Sequence, residues 1–169
     1  MKNYIKQIYE EGLEAVKVND YAVAEQRFNE ILRKAPEDKL AGNAQYWLGE
    51  SYYGRKDYAK AAVAFAKGYE KYKDGNKGAD NILKLGLSMQ MLGKKEEAIT
   101  VLNSAIRIKP DYWPTSNLLA VILCEMNNYT EALRVYNDLL KYQDDNYEIL
   151  YEDDYYMLFK RLNNDVVVI

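Results

Sequence analysis

Serines such as Ser51 and Ser88, one cysteine, Cys124, and scattered carboxylates are the side chains of this chain that could take part in bond-making chemistry. None has the partner that such chemistry needs. The sequence has no histidine, so the commonest general base and metal ligand is missing. A single cysteine cannot build a zinc site or an internal disulfide, and Cys124 lies in the apolar run LLAVILCEM, where a small buried thiol is expected. GNKGAD at 75–80 lacks the Gly-Lys-Ser/Thr ending of a phosphate-cradling loop and reads as a plain connection. DDNYEILYEDD at 144–154 lacks the glycine and the spaced acids of a calcium loop and reads as a solvated helix start. No catalytic residue, metal site or cofactor is expected.

The chemistry that remains is recognition by aromatic side chains. The stretch NAQYWLGESYY at 43–53 carries four aromatic rings, in a chain with 17 tyrosines. On a helix, Leu48, Gly49 and Tyr52 share one face, while Tyr46, Glu50 and Tyr53 share another at i, i+4, i+7 spacing, with Trp47 at its border. Rings of this kind bury much area at low entropic cost, which suits them to anchor a partner. They equally suit packing between neighbouring elements, and both readings are open from the residues alone.

The elements that must position these rings follow from an internal repeat. A small residue, an alanine twelve positions on and a large side chain four further on recur as Gly12, Ala24 and Phe28; Gly49, Ala61 and Phe65; Gly86, Ala98 and Leu102; and Ala120, Ala132 and Tyr136. Each unit predicts a helix pair: roughly 5–18 with 21–34, 42–54 with 58–73, 79–92 with 95–108, and 113–126 with 129–142. KVNDY, GRKDY, LGKKE and MNNYT are the polar turns within the pairs. The small residues let two backbones approach beside the large side chain.

This pattern resembles the tetratricopeptide repeat, whose Leu-Gly, Tyr, Ala and Phe are matched by Leu48-Gly49, Tyr52, Ala61 and Phe65. The resemblance implies an all-α right-handed superhelix of four helix-turn-helix units, at about 5–38, 42–75, 79–112 and 113–146. A capping helix at 147–163 and an apolar tail at 164–169 are expected to follow. The acidic EDD and basic KR of the last helix suit the polar outer face of a cap. VVVI at the end suits covering that helix, or capture by a strand-adding domain.

In such a stack the first helices line the concave side. The stripe there is Tyr9, Leu13 and Val16, then Tyr46, Trp47, Glu50 and Tyr53, then Leu83, Lys84, Leu87 and Gln90, then Asn117, Val121 and Cys124. A groove for an extended or helical partner segment is expected, rimmed by Lys6, Glu10, Lys17, Glu50 and Lys84. Replacing Tyr46 and Trp47 together by alanine is expected to abolish partner binding and leave helicity nearly intact. The positions that hold a terminal carboxylate in chaperone-binding relatives are Tyr9, Leu13, Trp47, Asp80 and Lys84 here, and only Lys84 is basic, so that clamp is not expected.

Residues 20 to 99 resemble more closely the periplasmic Tol–Pal system coordinator family, at DYAVAEQRFNEIL, LAGNAQYWLGESYY, AAVAFAKGYEKY and ILKLGLSMQMLGKKEEA. That resemblance implies a role in the cell envelope, a TolA-like helical partner and a periplasmic location. Without it, a general scaffold in the cytoplasm is expected. Residues 101–169 look like general repeat sequence, so the chain reads as a divergent natural protein or as a fusion of two repeat sources. The family's signal peptide and coiled coil are not in this sequence, and a monomer is expected. A net charge of −3 with both signs mixed leaves no electrostatic footprint for nucleic acid, and no stretch is long and apolar enough for membrane insertion.

Overall fold

The computed structural model describes residues 2–140, which form eight helices: α1 (Lys2–Lys17), α2 (Tyr21–Lys34), α3 (Ala41–Gly54), α4 (Tyr58–Tyr72), α5 (Gly78–Met91), α6 (Lys95–Ile108), α7 (Trp113–Glu125) and α8 (Tyr129–Leu140). The expected capping helix and the VVVI tail lie outside the described residues.

One turn joins every pair. Asn19, Lys56, Gly93 and Asn127 each have φ between 60° and 75°, and each closes the preceding helix. The next amide reaches back to the carbonyl five residues earlier: Asp20 to Ala15 at 2.8 Å, Asp57 to Tyr52 at 2.9 Å, Lys94 to Met89 at 2.9 Å and Asn128 to Leu123 at 2.8 Å. This left-handed closure satisfies the last carbonyls of the helix. Glycine or asparagine suits it, whereas Lys56 carries the steric cost of a side chain there. The following residue then caps the second helix, with Asp20 accepting from the Val23 amide and Asp57 from the Lys60 amide, both at 3.2 Å.

The small-residue rule is realised in three dimensions. A Cβ at Gly12 would come within 2.7 Å of the Phe28 ring, and one at Gly49 within 2.5 Å of the Phe65 ring. Phe28 and Phe65 are fully buried, as are Ala24, Ala61, Ala98, Ala120 and Ala132. At Gly86 the same space is taken by Leu102. Gly68 performs the same service between pairs, because a Cβ there would meet the amide of Asn81, which is itself fully buried and donates to the Lys77 carbonyl.

Three clusters of buried side chains follow one another along the stack, centred on Phe28, on Phe65 and on Leu102 with Leu119 and Ile122. Contacts join consecutive helices throughout. In addition α1 touches α3, α3 touches α5, and α5 touches α7, while the even-numbered helices make no comparable contact with one another among the described residues. A row whose members touch is the inner row of a curved stack, so the odd helices form the concave wall of a helical solenoid. The spacing falls from 37 to 34 residues between Gly86 and Ala120. Part of this shortening lies in the loop between α6 and α7, residues 109–112, against residues 35–40 between α2 and α3.

Candidate protein-binding groove

The concave wall is built from side chains one helical turn apart on α1, α3, α5 and α7. Tyr9 and Leu13 on α1 are half-buried against Leu48 and Trp47. The Tyr9 ring meets Phe28 edge-on at 6.0 Å. Burial of the ring raises the Tyr9 phenol above its ordinary value. Trp47, Glu50 and Tyr53 on α3, and Leu83, Lys84 and Leu87 on α5, are all partly exposed.

Tyr46 departs from the expectation. It is 8% exposed and belongs to the core with Ala61, Phe65 and Leu85. Its ring lies 5.5 Å from Trp47 and 5.8 Å from Phe65, and the Lys77 ammonium sits 4.6 Å from its centroid. Burial, with the nearby Glu50 and Asp80 charges, keeps its phenol neutral far above the ordinary range. Tyr46 therefore supports the groove from beneath, and its accessible wall is set by Trp47 and Tyr53. The reason is geometric: the ring points into the space between α3 and α4, against Ala61 and Phe65, and Leu85 of α5 closes over it.

The polar groups on the wall are paired across helices. Glu50 on α3 and Lys84 on α5 form an ion pair at 2.9 Å, and the same ammonium sits 5.4 Å from the Tyr53 ring centroid. Tyr53 in turn meets Tyr58 edge-on at 5.0 Å. Toward one end, Asp80 accepts from Tyr112 at 2.6 Å and from Lys77 at 3.0 Å. Toward the other, Glu125 accepts from Gln90 at 2.9 Å and pairs with Lys95 at 2.9 Å. The ion pairs Glu50–Lys84 and Lys95–Glu125 join residues 34 and 30 apart, so a search for opposite charges at about one repeat finds them, whereas a search within one helix does not.

Ser51 and Ser88 are accounted for by the same helices. Both are fully buried and bond back to the carbonyls of Trp47 at 2.8 Å and Lys84 at 2.7 Å. Among the described residues no cluster of acidic or cysteine side chains is arranged to hold a metal, and no helix is long and apolar enough to cross a membrane.

One pH dependence follows from the wall. The Lys95 ammonium, helped by the Gln90 amide, holds Glu125 below the ordinary carboxylate value of 4.5. A depressed carboxylate stabilises the fold in full above 4.5, and that contribution disappears as pH falls through the lower folded-state value. The acid limb of stability should therefore be shallower in Glu125→Gln than in the native chain, read as urea midpoints over a pH series. Superimposable limbs would mean that the pair contributes nothing.

Comparison with known proteins agrees with this geometry. Two family profiles, each described as Tetratricopeptide repeat, match residues 9–76 and 91–151, together more than two thirds of the chain. The Cell division coordinator CpoB of Pseudomonas putida is 44% identical over 52 residues. That match covers 31% of this chain and 19% of the relative, so the chain spans only about a fifth of the coordinator's length. Among solved structures, a tetratricopeptide repeat protein from Parabacteroides merdae superimposes with a TM-score of 0.71 at 15% identity, covering 97% of this chain and 67% of the other. The MamA protein superimposes with a TM-score of 0.72 at 18% identity, covering 99% and 88%. At such identities these two likenesses concern the fold alone.

Proposed function

Because the chain belongs to the tetratricopeptide-repeat family, we propose that it is a non-catalytic protein-binding scaffold whose concave wall receives a segment of a partner protein. The observation that carries this reading is the partly exposed stripe of Leu13, Trp47, Tyr53, Leu83 and Leu87, held on touching odd helices. Large apolar groups in a preformed groove are the usual anchors of a docked segment.

The finer proposal is a role like that of the cell division coordinator, in the periplasm, with a helical segment of TolA as partner and the chain acting as a monomer. It is supported by the matched 52 residues and by the resemblance of residues 20–99. The test is calorimetric titration with the helical domain of TolA, using the native chain and a Leu83→Asn/Leu87→Asn variant, with light scattering to report the oligomeric state. Saturable binding by the native chain, lost in a variant of unchanged circular dichroism, is expected. Absence of binding would remove the envelope role and leave a general scaffold as the better description.

A further inference from the structure

We infer that the Glu50–Lys84 pair sets the specificity of the groove, making it select partner segments that carry no charge where they cross its centre. This inference rests on the groove being the binding site. The pair stands in the middle of the apolar stripe, between Tyr53 on α3 and Leu83 and Leu87 on α5. Both side chains are only about a quarter exposed, at 25% for Lys84 and 21% for Glu50, so the ion pair is already partly withdrawn from water.

Other charges of the wall are paired as well, some of them exposed pairs within one helix. Lys6 pairs with Glu10, Lys17 with Glu14, Lys77 with Asp80, and Lys95 with Glu125. Among the described side chains of the wall, a charged residue of a partner thus meets only charges that are already paired. To gain an ion pair it must break one that exists, and it must give up its own hydration as it enters the groove. An uncharged segment meets neither penalty. It covers Trp47, Tyr53 and Leu87, and it can place a backbone carbonyl on a remaining proton of Lys84. Exclusion of charged competitors is then a matter of unpaired charge on the wrong partner rather than of extra contacts to the right one.

Single neutral substitutions expose the two halves of the pair. Glu50→Gln leaves Lys84 without its carboxylate and should turn the groove toward acidic segments. Lys84→Gln leaves Glu50 alone and should turn it toward basic ones. The experiment is selection of a displayed library of random peptides on the immobilised native chain, Glu50→Gln and Lys84→Gln, after circular dichroism has shown all three folded, with Leu83→Asn/Leu87→Asn as the background. The native pool is expected to be depleted in Asp, Glu, Lys and Arg, the Glu50→Gln pool enriched in Asp and Glu, and the Lys84→Gln pool enriched in Lys and Arg. Affinity of the best native peptide should change by only about twofold from low to high salt, whereas peptides from the two variants should weaken far more as screening increases. Pools that are enriched over background but keep one charge composition across all three chains would overturn this inference and leave the groove as a binding site. No enrichment over background on any chain would overturn both.

Discussion

Phe65→Ala is expected to lower the unfolding free energy by about 3–5 kcal/mol, the range for deleting a buried aromatic ring. The ring is fully buried, the space in front of Gly49 is shaped by it, and Tyr46 packs against it at 5.8 Å. Nothing nearby can collapse into the gap readily, because the neighbours are helical backbone at Gly49 and the small Ala61. The effect should also have a spatial signature. In a stack where each unit contacts only its neighbours, stability is the sum of unit and interface contributions. Phe65 sits in the second of four pairs, so its loss should weaken the coupling between α1–α2 and α5–α8. Urea unfolding followed by circular dichroism should show a lower midpoint and a broader transition, and hydrogen exchange should report α3 and α4 opening before α7 and α8. A loss below about 1 kcal/mol would mean that the packing around Gly49 rearranges freely, contrary to the tight approach described above.

Tyr46→Ala should act on stability before it acts on binding, by about 3 kcal/mol on the scale of large buried side chains. The ring is buried between Phe65, Leu85 and Trp47, and it carries the Lys77 ammonium on its face. Removing it therefore costs apolar burial, a ring–ring contact and a cation–ring contact together. The burial of Tyr46 predicts, against the expectation of intact helicity, that deleting Tyr46 and Trp47 jointly destabilises the fold. Substitutions at Leu83 and Leu87, which are partly exposed on α5, separate binding from folding more cleanly. Thermal unfolding of Tyr46→Ala beside Tyr53→Ala decides the point. If Tyr46→Ala is no less stable than Tyr53→Ala, the ring belongs to the accessible wall after all.

The repeat was legible because it is local. Gly49, Ala61 and Phe65 recur at fixed offsets in a unit of two helices, and the turn after each first helix needs a residue that tolerates positive φ, which Asn19, Gly93 and Asn127 do. Such patterns are imposed by the helix period and by the steric cost of a side chain at a close approach. The helix pairs, the turns between them and the side of the stack that carries the aromatic stripe all follow from them.

What only the tertiary structure decided is which member of that stripe is buried and which charges cancel. Tyr46 and Tyr53 lie on the same face of α3, seven residues apart, and look equivalent along the sequence. One is buried against Ala61 and Phe65 of α4 and Leu85 of α5, and the other meets Tyr58 at the start of α4 and stays partly exposed. Glu50 and Lys84 are likewise two unremarkable charges until the stack brings them to 2.9 Å. Sequence periodicity fixes the face of a helix. The angle and register at which the next pair is laid on it come from the packing of many side chains at once, including Gly68 against Asn81, and no single offset in the chain encodes them.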